Sequence, residues 1–397
     1  MCVVFPSGLS GPDVHAQFIH FGKRLTTAIR RSAFHPWSTV TTTAIVMVAF
    51  LPAINTPVFS AEDEARHYNR LLGRGINLGN ALEAPQEGAW GVTLKSRYFR
   101  DTKNAGFNSV RIPISWSTHA GTQPPYAIES MFFGRVDWAV NQALSRGLVA
   151  VINVHHYVEM NRDPVAHLPR LVGMWKQIAQ HYRGYPDRLY FELLNEPVGQ
   201  LTDDQWQGVF PELLHAVRET NPARMVIVGP ANGNDLRHLD KLYLPEEDRH
   251  LIATFHYYSP PQFTHQGAGW VPGSDAWKGT TWTGSAQERE VMARDFDDAA
   301  AWAAKNGRPL YVGEFGSYQE ADMASRVRWT RAVVNEAQKH RFSWAYWEFC
   351  ATFGAYDPIA LAWREPLLQS LIGSGNGKKD WPRGATDVKR TTVIGLR

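Results

Sequence analysis

An α/β fold, a single (β/α)8 barrel, is what this sequence predicts, on three observations. From residue 74 onward the chain repeats one unit: a short apolar run, a polar exit, then a helical stretch. Eight such runs fit between residues 74 and 349, and strands alternating with helices imply a parallel sheet with right-handed crossovers. The runs are almost continuously apolar, as strands covered on both faces are.

In chain order the strands are RGINLGN (74–80), SVRIPISW (109–116), LVAVINVHH (148–156) and LYFELLNE (189–196). MVIVGP (225–230), LIATFHYY (251–258), PLYVGEFG (309–316) and SWAYWEF (343–349) complete the set. Between them, VDWAVNQALSRG (136–147) places Val136, Ala139, Val140, Ala143 and Leu144 on one helical face and stops at glycine. LPRLVGMWKQIAQHY (168–182) and SRVRWTRAVVNEAQKH (325–340) follow the same spacing. An open doubly wound sheet is the competing topology. It would carry a glycine-rich phosphate turn, and neither G-x-G-x-x-G nor a Walker lysine occurs here.

Residues 1–60 stand apart from this rhythm. Lys23, Arg24, Arg30 and Arg31 against Asp13 give the segment a charge of +3. The apolar STVTTTAIVMVAFLPAI follows, then small residues suited to cleavage near Ser60 or Ala61. We read an export leader and hence a secreted protein, with an uncleaved membrane anchor as the alternative. The domain reading is 1–60 leader, 61–372 catalytic barrel and 373–397 flexible polar tail.

The whole chain is also +3, so the body balances near zero. That argues against a nucleic-acid partner, which needs clustered basic residues. Cys2 and Cys350 leave the body one thiol and no internal disulfide. The 15 Trp, 14 Tyr and 19 Phe read mainly as core, but tryptophan's flat face also suggests a groove for ring-shaped ligands.

In such barrels chemistry sits at the C-terminal strand ends. Those ends carry Asn80, Arg111, His155 with His156, Asn195 with Glu196, His256 with Tyr258, Glu314, and Trp347 with Glu348. Glu196 stands where the fourth run opens, with Pro197 expected to end the strand. Glu314 holds the matching exit of the seventh. Two carboxylates flanking one bond are the equipment of glycoside hydrolysis. Arg111 and Tyr258 are placed to keep Glu314 charged, while Glu196, beside Asn195 and apolar walls, is expected to have the raised pKa. Each residue alone reads more simply as a capping, ion-pairing or core group; the joint occurrence at successive exits favours a site. His155-His156 as a metal pair lacks a ligand-spaced third group, so no metal is expected.

RGINLGNALEAP, VRIPISWSTHA, VINVHHY, LNEP, HYYSP, GEFG and SWAYWEF together resemble glycoside hydrolase family 5, the retaining β-glycanases, over residues 70–372. NALEAPQEGAWGV, FTHQGAGWV and SWAYWEFCATFGAYD are similar to its thermophilic endoglucanases that also accept mannans. The resemblance implies Glu196 as acid/base and Glu314 as nucleophile, with Arg111 and Tyr258 holding Glu314. It implies Asn195 on the sugar 2-hydroxyl, His155 and His256 positioning the apparatus, and Trp347 as the sugar platform. Asn80, Glu83, His156, His265, Trp270 and Glu348 are implied as further substrate contacts. No cofactor is implied. The expected protein is a monomeric endo-β-1,4-glucanase acting on cellulose and β-glucan, with mannan or glucomannan as a second substrate. A dedicated mannanase and a non-catalytic carbohydrate-binding barrel are the alternatives.

Overall fold

The computed structural model describes residues 61–373. The leader reading, and the tail reading from residue 374, lie outside the described residues. Eight strands form one closed parallel barrel in chain order. They are β1 (Arg74–Asn77), β2 (Ser109–Ile112), β3 (Val149–Asn153), β4 (Leu189–Glu192), β5 (Val226–Val228), β6 (Leu251–Tyr257), β7 (Leu310–Phe315) and β8 (Ser343–Tyr346). Because β1 pairs with both β2 and β8, the sheet has no free edge, which excludes the open doubly wound alternative.

The principal helices are α1 (Ala61–Leu72), α2 (Ser96–Ala105), α3 (Ser130–Leu144), α4 (Pro164–Tyr182), α5 (Asp203–Arg218), α6 (Ala286–Asn306), α7 (Met323–Lys339) and α8 (Glu365–Ile372). Their starts follow side-chain capping. Asp163, Thr202 and Asp322 accept from first-turn amides, and Ser285 with Glu288 forms a capping box on α6. On α3 the buried residues are Phe132, Val136, Ala139, Val140 and Ala143, the face that the spacing predicts extended by one turn. Among the described residues, no helix is long and apolar enough to cross a membrane.

Period-two alternation divides the barrel interior into layers. Leu72, Val149, Val151, Tyr190, Ile227, Ile252, Tyr311 and Ala345 pack as an apolar floor inside the strands. One pleat further on, the inward positions turn polar at Asn77, Arg111, Asn153, Glu192 and Thr254, and His256 follows one pleat beyond Thr254. Their register fits, with Asn77 opposite Arg111, Asn153 opposite Glu192 and His256 opposite Glu314. The floor keeps water out beneath a charged layer.

The tryptophans are mostly structural. Trp116, Trp175, Trp206, Trp282, Trp329 and Trp344 are fully buried, and Trp116, Trp175 and Trp206 donate to the carbonyls of Asn153, Leu193 and Gly229 at strand exits. The groove reading applies to Trp90, Trp270 and half-buried Trp347.

Candidate active site

Arg111 is the centre of the polar layer. Fully buried, it uses all five guanidinium donors. Nε and Nη2 form a two-pronged pair with Glu192 at 2.6 and 2.7 Å. Nη1 donates to Glu314 Oε1 at 2.6 Å and to Asn77 Oδ1 at 2.9 Å, and Nη2 donates to Asn195 Oδ1 at 2.7 Å. Tyr258 donates to the other oxygen of Glu314 at 2.9 Å. The two expected partners of Glu314 are therefore both in contact with it.

Glu314 faces inward because of a bulge. Tyr311 faces the barrel floor, so strict alternation would send Gly313 inward and Glu314 out. Instead Phe255 pairs with Val312 and His256 with Glu314, leaving Gly313 as an extra residue in β7 that re-aims the next side chain. A Cβ at Gly313 would lie 2.8 Å from Thr254 Oγ1 and 3.0 Å from His256 Nε2. Only glycine fits there.

Glu196 arrives differently. β4 ends at Glu192, four residues earlier, so Pro197 does not terminate the strand. Glu196 sits in the following loop with φ 47°, a left-handed conformation it shares with His156 (φ 55°) and Asn80 (φ 62°). Non-glycine residues rarely adopt it, and such strain gathers at functional sites. Glu196 Oε1 meets His256 Nδ1 at 2.7 Å, and the same nitrogen is 3.7 Å from Glu314 Oε2. Carboxylate oxygens of Glu196 and Glu314 and a ring nitrogen of His256 all lie within 4.8 Å of one another.

The proton balance differs from expectation. Burial raises Glu314 against the pull of His256 and Arg111. Burial also acts on Glu196, but the hydrogen bond and charge of His256 outweigh it and leave that carboxyl lowered. The sequence reading gave Glu196 apolar walls and did not foresee the imidazole that it meets. His256 itself is raised, burial notwithstanding, by the two carboxylates it faces. Arg111 already supplies a positive charge at Glu314, which opposes a dication in this cluster. Among the described residues, His155 and His156 join no group with metal-ligand spacing.

The remaining predicted residues divide into three sets. His155 is buried with its pKa pushed well down by burial, so it is neutral, and its ring lies parallel to Trp347 at 5.9 Å. Trp347 lies over Gly79, where a Cβ would come within 2.9 Å of the indole. Exposed His156 meets Trp90 edge-on at 5.4 Å. On the other side, Tyr258, His265, Phe353 and Trp270 form a chain of ring contacts leading away from Glu314.

Glu83 and Glu348 are the two carboxylates that the resemblance implies as further sugar contacts. Both are buried with both oxygens engaged by backbone amides. Glu83 accepts from Asn80 and Ala81. Glu348 accepts from Cys350, Ala351 and Phe353 at 2.7–3.1 Å. They brace the loops that carry Asn80 and Trp347.

Sequence reasoning missed Glu192, Asn77, Asn153, Asn234 and Trp90. Glu192 had a signal, a lone carboxylate inside the apolar run LYFELL. Asn234, whose amide lies 3.3 Å from His256 Nε2, had none, because only the fold brings it there.

Residues 74–352 match the family described as Cellulase (glycosyl hydrolase family 5). Endoglucanase H of Acetivibrio thermocellus is 38% identical over 288 residues, covering 72% of this chain and 30% of that relative. Endoglucanase B of Clostridium cellulovorans is 29% identical, covering 80% of this chain and 77% of that relative. The chain thus spans less than a third of the Acetivibrio protein's length. Among solved structures, Thermotoga maritima Cel5A in complex with mannotriose is 48% identical with a TM-score of 0.77, covering 78% of this chain and all of that one. Strand exits, buried charge layer and sequence agree: this chain belongs to the cellulase family, glycosyl hydrolase family 5.

Proposed function

We propose that the chain is an endo-acting β-1,4-glycanase that cleaves cellulose and β-glucan with retention of anomeric configuration. The observation that carries this reading is the approach of Glu196 and Glu314 oxygens to within 4.8 Å. Retaining enzymes hold their carboxyl groups about 5–5.5 Å apart, whereas inverting ones leave room for a water at about 6.5–9.5 Å.

Glu314, aimed by Arg111 and Tyr258, attacks the anomeric carbon as the glycosidic bond breaks. Glu196 gives its proton to the departing oxygen. For that, Glu196 must first hold the proton, and His256 Nδ1 at 2.7 Å can pass one along a single hydrogen bond. A water then attacks the glycosyl ester, Glu196 takes its proton, and Glu314 leaves as carboxylate. Asn195, fixed by Arg111, keeps its amide N–H groups as donors for the 2-hydroxyl. A neutral polymer suits a body of near-zero charge, and the leader sequence supports export.

Mannan or glucomannan is the second substrate, a reading supported by the mannotriose complex of the Thermotoga relative. Reducing-end release is to be measured on barley β-glucan, carboxymethyl-cellulose and glucomannan. Glu314→Gln should lower all three rates by about 10⁴ or more with the fold retained, and wild-type rates in that variant would remove Glu314 as nucleophile. Proton NMR of the first product should show the β anomer. Activity on glucomannan alone would favour the dedicated mannanase.

A further inference from the structure

The barrel has a second concave site at its other end. A cavity of about 740 Å³ is lined by Arg66, Arg70, Arg74, Arg308 and Arg341 with His340. These residues come from α1, the first residue of β1, the approach to β7 and the chain after α7, all at the strand-entry end. Glu314, near the exit of β7, lies at the opposite end. Among the described residues, no Asp or Glu lines the cavity.

Arg66 and Arg74 have partners of their own, and the described carboxylates nearest the cavity are already matched. Asp297 takes Lys339 and His340, each at 3.0 Å, and Glu336 takes Lys339 at 3.3 Å and lies 3.9 Å from His340. Glu64 lies 3.5 Å from His250. Arg308 donates only to the neutral carbonyls of Pro245 and Asp248, and Arg74 donates to the Ile372 carbonyl at 3.4 Å. The side chains of Arg70 and Arg341 have no hydrogen-bond or ion-pair partner among the described residues.

Converging like charges in a concave, partly apolar site cost stability and concentrate counter-ions. Guanidinium forks match the oxygens of phosphoryl groups. The volume falls within the range of about 300–1,000 Å³ typical of small-molecule sites. A neutral glucan has no charged group for Arg70 and Arg341, so the cavity is not an extension of the catalytic groove.

We propose that the strand-entry end of the barrel carries an anion site that takes a phosphoryl group, with Arg70 and Arg341 as its principal donors. The phosphoryl group comes from a soluble phosphorylated molecule or from a lipid headgroup, and the experiment separates the two.

Using the full chain, titration calorimetry with inorganic pyrophosphate is run beside flotation with phosphatidylglycerol or phosphatidylcholine vesicles. We expect pyrophosphate to bind wild type in a salt-sensitive way. Arg70→Ala/Arg341→Ala should weaken it at least tenfold while β-glucan hydrolysis stays unchanged. Binding to phosphatidylglycerol but not pyrophosphate, lost in the same variant, assigns the site to a headgroup. Arg341→Glu, at an exposed position, carries the test if the double variant does not fold, and should also weaken binding. No binding of either probe, or variants that bind as wild type does, overturns the proposal.

Discussion

Two groups of buried glutamates sit at the mouth of this barrel, and their charge is handled in different ways. Glu192 and Glu314 share one guanidinium, with both ion pairs at 2.6 Å. Glu83 and Glu348 form no ion pair among the described residues and rest in backbone amides. Burial pushes Glu83 up to about 8, with Glu348 adding to the rise, and burial pushes Glu348 up to about 7. The difference teaches what a cation supplies that amides do not. Amides can orient a carboxyl group and shape a loop, yet they leave its charge costly to bury. Burial raises Glu314 as well, but Arg111 pulls against that rise, and the proposed mechanism asks Glu314 to carry its charge.

The largest expected break in this comparison is Arg111→Met. It strands two buried carboxylates, a loss of about 3–5 kcal/mol for breaking a buried pair from one side. Urea unfolding should register that loss, and β-glucan hydrolysis should collapse with it. Unchanged stability would mean that the layer is not held together by this charge.

Glu192→Gln sharpens the same point at smaller cost, about 1–3 kcal/mol for the disturbed buried hydrogen bonds. With Glu192 neutral, the charge of Arg111 acts on Glu314 alone. The Glu314 carboxyl should fall, and the acid limb of the kcat/KM profile should move to lower pH. A shift to higher pH would contradict the sharing of Arg111.

The smallest effect concerns the amide-held pair. A carboxyl whose folded pKa is raised binds more protons in the native state, so its stabilisation is lost as pH rises from the ordinary 4.5 toward the raised value. For Glu83 that window runs up to about 8. Melting temperature should therefore decline between pH 5 and 8 in wild type, and Glu83→Gln should flatten part of the decline. An identical slope in the variant would show that Glu83 titrates normally.

Much of this was legible in the chain. All eight strands appear where apolar runs predict them, because strands covered on both faces leave a local compositional trace. The exits of those runs also named Arg111, Glu196, His256, Tyr258 and Glu314 before any contact was known. Strand ends were read too long: β4 stops at Glu192, not at the Asn195-Glu196-Pro197 corner. Apolar residues beyond the last ladder bond look the same in sequence as those within it.

What the sequence determined by itself was the alternation of strand and helix and the chemistry placed at each exit, since both rest on neighbouring residues. Three matters were decided only by tertiary structure. The bulge at Gly313 turned Glu314 inward, against the parity that Tyr311 sets. Arg111 was joined to Glu192, 81 residues away. His256 met Glu196, and its hydrogen bond and charge lower a carboxyl that local surroundings suggested would be raised. Facing and charge are properties of what lies across the barrel, and barrel closure brings together groups that the linear chain keeps far apart.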